Sequence, residues 1–217
     1  MATAAFFDLD GTLLTVNSAN LWVKRELRLR RIRHWQFFRA MLWLAGYRVG
    51  VFDMDRALTA ALAQLRGVTE ESIRKETRTW WQEEVRPFIA GGARAVLEKH
   101  RALGDELVLL TSSSRYASEM AMEEFRLDHV LFQGYEVVEG RFTGNPLRPL
   151  CYGIGKVHIA EEWARSAGVD LSQSTFYSDS LTDLPMLERV GHPVVVFPDP
   201  RLRRVAQKRG WPVLDWR

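Results

Sequence analysis

Four places along the chain carry residues that could do chemistry together. They are Asp8-Leu9-Asp10 followed by Gly11-Thr12, the hydroxyl run Thr111-Ser112-Ser113, the lysine Lys156, and Ser178-Asp179 with Asp183 close behind. Carboxylates, small hydroxyls and one lysine converging on one locus would seat a divalent cation and a phosphate. Carboxylate oxygens are the hard ligands that Mg²⁺ prefers, usually one or two of them with phosphate oxygens and waters completing the shell. Hydroxyls and backbone N–H groups at a helix start accept an anion. In Asp8-Leu9-Asp10 the period of two puts both carboxylates on one side if the chain stays extended. Gly11 then lets the backbone turn tightly and approach a ligand. One carboxylate could attack phosphorus while its neighbour passes protons to the leaving oxygen. The competing reading of Asp10-Gly11-Thr12 is an ordinary Asx-type turn.

Such residues need a scaffold that brings them to one edge, and the hydrophobic pattern describes one. The apolar run 4–7 stops at Asp8 like a buried strand of a parallel sheet. Residues 106–110, 175–177 and 193–197 read as further strands, with helices expected at 92–103, 115–125, 156–167, 184–190 and 202–210. A hairpin is expected at 135–143, turning at Glu139-Gly140. Strands alternating with helices predict an α/β fold with a doubly wound parallel sheet, whose ligands bind at the carboxyl ends of the strands. Each strand that precedes one of the polar clusters ends there. Residues 16–86 lack strand alternation and read as helices over 20–46, 53–66 and 69–86, the last with Thr69 as N-cap. The expected organisation is therefore a core of 1–15 and 87–217, interrupted by a helical cap of 16–86.

Composition bounds the rest. With 217 residues, 47% hydrophobic and 26% charged, a disordered or low-complexity chain is excluded. One cysteine, Cys151, precludes an internal disulfide and fits a reducing compartment. The N-terminal residues do not read as a signal peptide, and a cytoplasmic location is expected. The net charge of +3 conceals a division: residues 16–86 carry fourteen Lys/Arg against eight Asp/Glu, and the remainder carries sixteen against nineteen. Residues 24–33 alone hold six basic side chains and one acid, Glu26, and run into the aromatic stretch 35–45. Two readings of 24–45 stand open: packing within the cap or against a subunit, and peripheral contact with a membrane. No nucleic-acid-binding fold accompanies the basic run. Gly155-Lys156 is not a phosphate-binding Walker loop, because Val157 stands where Ser or Thr is required. The five histidines show no ligand spacing.

Taken together, Phe6-Phe7-Asp8-Leu9-Asp10-Gly11-Thr12-Leu13 resembles the first motif of the haloacid dehalogenase superfamily. Leu109-Leu110-Thr111-Ser112 resembles the second, Lys156 the third, and Ser178-Asp179-Ser180-Leu181-Thr182-Asp183 the fourth, in its Asp-x-x-x-Asp form. A helical insertion between the first two motifs is similar to the C1 cap of the phosphoserine-phosphatase-like subfamily IB. The resemblance implies a Mg²⁺-dependent phosphatase in which Asp8 forms an aspartyl-phosphate and Asp10 acts as acid and then base. It implies phosphate contacts from Thr111, Ser112, Lys156 and the turn at Gly11, and metal binding by Asp8, Asp10 through its main-chain carbonyl, and Asp179. Asp183 would orient Lys156 or metal-bound water. Phosphoserine phosphatases usually carry an acid nine residues after the nucleophile; Asn17 stands here, so L-phosphoserine is not the expected substrate. Asn17, Arg25 and Arg28 are the cap residues expected to select a phosphate ester, and some subfamily relatives act on lipid phosphates. The alternative is a catalytically idle module that binds an anionic membrane or protein partner through the cap.

Overall fold

A computed structural model describes residues 2–48 and 54–216 of the chain. The described residues hold eight strands: β1 (Ala4–Phe7), β2 (Glu106–Ser114), β3 (His129–Gln133), β4 (Tyr135–Val138), β5 (Arg141–Pro146), β6 (Thr175–Ser178), β7 (His192–Val196) and β8 (Val213–Leu214). Six of them form one sheet in the order β3-β2-β1-β6-β7-β8, every neighbouring pair parallel. β1 is apolar throughout because both of its faces are covered. Ala4 and Phe6 join the cluster on one face of the sheet, and Ala5 and Phe7 the cluster on the other. The chain leaves β1 toward β2 and β3, then returns to its other side as β6, β7 and β8. Strand order thus reverses at β1, and the crevice beyond the carboxyl ends of β1, β2 and β6 is where such sheets bind ligands.

The helices are α1 (Ser18–Arg28), α2 (His34–Arg48), α3 (Met54–Leu62), α4 (Glu70–Trp80), α5 (Ala93–Leu103), α6 (Arg115–Phe125), α7 (Ile154–Ala167), α8 (Leu184–Arg189) and α9 (Pro200–Arg209). The α/β fold with an inserted all-helical cap is as the pattern predicts, with corrections in detail. The single helix expected over 20–46 is two, broken at 29–33, where Arg30 takes a left-handed φ of 57°. No glycine or proline marks that break, so the pattern runs through it. The helix expected from 69 does begin at Thr69, whose side chain caps Ser72 N–H, but it passes at Trp81–Val85 into a wider π-type turn. β3 was not expected. It is a short edge strand whose residues are mostly half-exposed, so it shows neither a buried run nor clean alternation. β2 continues to Ser114, past the expected end at 110. Asp53, at the start of the helix expected over 53–66, lies outside the described residues, as do the side chains of Gln36, Ala40 and Trp43 to Ala45.

The cap is joined to the core in three further places besides its chain connections. The segment before α4 runs along the β4–β5 hairpin: Gly67 N–H donates to Phe142 O at 2.8 Å, Phe142 N–H to Val68 O at 3.0 Å, and Glu70 N–H to Gly140 O at 2.8 Å. Along α4 and beyond, Arg74, Arg78 and Arg86 pair with Glu119, Glu123 and Glu124 of α6. Arg148 of the core reaches back to Asp55 of α3. Part of the charge division seen in the sequence is therefore complementarity between cap and core.

Candidate active site

Asp8 follows β1 directly, its N–H donating to Tyr177 O of β6 at 3.0 Å. Lys156, in the first turn of α7, is buried with 2% of its surface exposed. Its Nζ donates to Asp8 Oδ1 at 2.9 Å and to Asp183 Oδ2 at 2.8 Å. The same Asp183 oxygen accepts from Ser178 Oγ at 2.7 Å, and Ser178 Oγ in turn accepts from Ser180 N–H at 3.1 Å. A buried ammonium between two carboxylates satisfies the requirement that an interior charge be paired and hydrogen-bonded. Burial pushes the Asp8 carboxyl up to about 7 even though Lys156 pulls it down, and Asp183 nearby adds to the rise. Lys156 is held well above the usual amine value: burial opposes its charge, but Asp183 and Asp8 outweigh burial.

Asp10 sits at the start of the cap. Its Oδ1 accepts Ser18 N–H at 2.9 Å, and its Oδ2 accepts Ser18 Oγ at 3.0 Å, Asn17 Nδ2 at 3.3 Å and Ser113 Oγ at 3.4 Å. Asn17 caps α1 through Asn20 N–H at 3.0 Å, so Asp10 lies at the positive end of that helix. Burial raises the Asp10 carboxyl above the ordinary range, while the bonds from Ser18 moderate the rise. A carboxyl so placed is suited to hold a proton and release it on demand. Ser18 is the site residue that the sequence reading missed; its signal was its position immediately inside a helix N-cap, one turn of chain from Asp10.

Gly11 has a φ of +78°, and a Cβ added there would stand 2.5 Å from Asp179 Cγ and nearer still to its Oδ2. The absent side chain is what allows the Asp179 carboxylate to lie against the turn after Asp10. Asp8, Asp10, Asn17, Thr111, Ser112, Lys156, Asp179, Ser180, Thr182 and Asp183 line one cavity of about 40 Å³. That is room for roughly three water-sized groups, the scale of a phosphoryl group. Among the described residues no group of three or more His, Cys, Asp or Glu side chains is placed to hold a metal ion on its own. An open set of hard oxygen donors is nevertheless what Mg²⁺ takes, since it keeps waters and bridges to substrate, and the Gly11 cradle brings Asp179 to that set. The residues present fit such an ion.

Arg25 and Arg28, expected to face substrate, turn instead to Glu84: Arg25 Nε lies 3.4 Å and Arg28 Nη2 2.5 Å from Glu84 Oε1. Arg25 also donates to Glu76 O at 3.3 Å and lies over the Trp22 ring at 5.5 Å. Neither lines the cavity. Ser112 Oγ donates to Cys151 O at 2.7 Å, and burial pushes the Cys151 thiol up to about 12, away from nucleophilic use.

Comparison with known proteins places this geometry in a family context. Residues 5–188 match the haloacid dehalogenase-like hydrolase family. A histidinol-phosphatase of Neisseria meningitidis is 28% identical, with 100% of each chain covered. A phosphoserine phosphatase of Mycobacterium tuberculosis is 30% identical over 100% of this chain and 72% of its own. Among solved structures, a protein of unknown function from Bordetella pertussis Tohama I superposes with a TM-score of 0.90 at 28% identity, covering 100% of both chains.

Proposed function

The chain belongs to the haloacid dehalogenase-like hydrolases, and from that premise we propose that it hydrolyses a phosphate monoester with Asp8 as the nucleophile. The observation that carries the reading is the buried Asp8–Lys156–Asp183 bridge opening on the same cavity as Asp10. Lys156 occupies Oδ1 of Asp8, so Oδ2 is the atom that attacks phosphorus. As the ester P–O bond breaks, the protonated Asp10 gives its proton to the leaving oxygen, and the phosphoryl group rests on Asp8. Asp10, now a carboxylate, takes a proton from water, whose oxygen attacks the same phosphorus; inorganic phosphate leaves and Asp8 is restored. The Thr111 hydroxyl and the Ser112 N–H hold phosphoryl oxygens, Lys156 offsets their charge, and Asp183 positions Lys156. Mg²⁺, held by Asp8, the Asp10 carbonyl and Asp179, would supply further charge neutralisation on the transferring group.

The cavity also bears on the leaving group. Lys156 is the one cation among the lining residues, and it is committed to two carboxylates. Arg25 and Arg28 are committed to Glu84, and Asn17 is neutral. The carboxylate of L-phosphoserine therefore has no counter-charge, and the ammonium has no carboxylate at position 17. A phosphate ester without a carboxylate fits better. Histidinol phosphate, the substrate named for a relative matching over its full length, is such an ester; a lipid phosphate is the second, favoured by the exposed face of α2 described below.

The test is phosphate release with and without Mg²⁺, from p-nitrophenyl phosphate and from a panel of L-phosphoserine, histidinol phosphate and a lysophosphatidate. Mg²⁺-dependent turnover that Asp8→Asn abolishes is expected, with L-phosphoserine about tenfold or more below the best ester in kcat/KM, roughly 1.4 kcal/mol. Wild-type turnover no greater than that of Asp8→Asn would remove the nucleophile; L-phosphoserine as the best ester would overturn the charge argument.

A further inference from the structure

The cap's positive charge is only partly consumed by the contacts described above. Arg74, Arg78 and Arg86 meet α6, Arg25 and Arg28 meet Glu84, and Arg31 meets Glu26 and Glu76. Beyond these, Lys24, Arg30 and Arg39 on and between α1 and α2 are all exposed. The same region carries large apolar side chains in solvent: Leu29 is 44% exposed, Trp35 55%, Phe38 68% and Leu42 64%. Trp35, Phe38 and Leu42 follow one another by three and four residues, which sets them in a single stripe along α2. The Arg39 guanidinium lies over the Trp35 ring at 4.9 Å, so a cation belongs to the stripe itself. α2 is apolar on nearly every face, and a helix of that kind needs cover on all sides. α1 packs against one side of it; the stripe faces outward.

We propose that this face of the cap docks on an anionic phospholipid bilayer, with Trp35, Phe38 and Leu42 entering the headgroup boundary and the surrounding cations meeting lipid phosphates. Aromatic and aliphatic side chains flanked by Lys and Arg are the composition of an interfacial surface, and neither part alone holds a protein there firmly. The charge distribution selects this occupant over a second copy of the chain. In a two-fold contact the same patch meets itself, and residues 27–42, which carry the stripe with Arg30 and Arg39, hold no Asp or Glu. Self-association would bring cations against cations. A nucleic acid would meet the cations and leave the apolar stripe uncovered. The contact is peripheral: among the described residues no helix is long and apolar enough to cross a membrane.

The experiment is co-sedimentation of the full chain with vesicles of phosphatidylcholine alone and of phosphatidylcholine with about one-third phosphatidylglycerol. Two triple variants are compared, Trp35→Ser/Phe38→Ser/Leu42→Ser and Lys24→Glu/Arg30→Glu/Arg39→Glu. Binding to the anionic vesicles is expected, weakened about tenfold or more by either variant and by raising salt from about 0.05 M to about 0.5 M. Melting temperature and p-nitrophenyl phosphate turnover report that both variants are folded, since none of these side chains lines the cavity. Asp8→Asn is expected to bind vesicles as the wild type does, which separates this inference from the catalytic one. Absence of binding to anionic vesicles at low salt, equal binding to neutral ones, or binding untouched by either triple variant would each overturn the proposal. So would a wild-type dimer that the apolar variant turns into monomer, or capture of duplex DNA in preference to vesicles.

Discussion

Replacing Gly11 by alanine tests how the cavity is built, because the structure separates the two penalties involved. The first is backbone: at φ +78° a Cβ crowds its own chain, which costs about 1–2 kcal/mol. The second is local: the new carbon would stand 2.5 Å from Asp179 Cγ, far inside the roughly 3.5–4.0 Å at which carbons rest. Asp179 must move by about 1 Å or more to relieve that contact, and displaced support around a metal ligand typically lowers affinity about 10- to 100-fold. Gly104 supplies the control. It has nearly the same φ, +79°, and a Cβ there would meet nothing within 4 Å. Gly104→Ala is therefore expected to lower the melting temperature by about 2–8 °C and to leave kinetics alone. Gly11→Ala is expected to show at least that shift, plus a 10- to 100-fold rise in the Mg²⁺ concentration for half-maximal p-nitrophenyl phosphate turnover, about 1.4–2.7 kcal/mol. If Gly11→Ala matches Gly104→Ala in both readouts, the Asp179 carboxylate is not held where the argument requires it.

Two further outcomes follow from the charged pairs. Lys156→Met leaves Asp8 and Asp183 facing each other in the interior, and losing one partner of a buried pair costs about 3–5 kcal/mol; a fall in melting temperature of about 6–20 °C is expected together with a loss of about 10²–10³-fold in turnover, and an unchanged melt would contradict the bridge. Arg25→Met is expected to destabilise by about 1–2 kcal/mol, because Glu84 loses one of two partners and keeps Arg28, while the ranking of phosphate esters stays the same; a changed ranking with an unchanged melt would return Arg25 to the substrate.

The gathering of Asp8, Asp10, Thr111, Lys156, Asp179 and Asp183 in one cavity was legible because each stands at the end of an apolar run or the start of a helix, and a parallel sheet brings those ends together. Gly11 was legible as a turn, but the reason no other residue serves lies in Asp179, far along the chain. Arg25 and Arg28 show the limit from the other side. Their charge is plain in the sequence, but their partner, Glu84, sits on a turn that returns only after three more helices, and no local pattern announces it. Ser18 escaped because a serine at a helix start has an ordinary explanation in capping; that it holds Asp10 instead follows from where β1 stops. β3 escaped because a short, half-covered edge strand leaves no periodic mark.

The bond from Ser18 N–H to Asp10 has a mechanical consequence. The first backbone amide of α1 is both the hinge end of the covering segment and the support of the acid. Further along that segment, just ahead of α4, the chain is fastened to the β4–β5 hairpin through Gly67, Val68 and Glu70. A segment tied to the core at α1 and again ahead of α4 is held at two points along its length, and a displacement of α1 would alter the hydrogen bonding of Asp10. In the proposed reaction the cover and the proton donor would therefore act as one part: Asp10 keeps its bonds from Ser18 only with α1 seated, so proton transfer and an enclosed phosphoryl group are expected to come together.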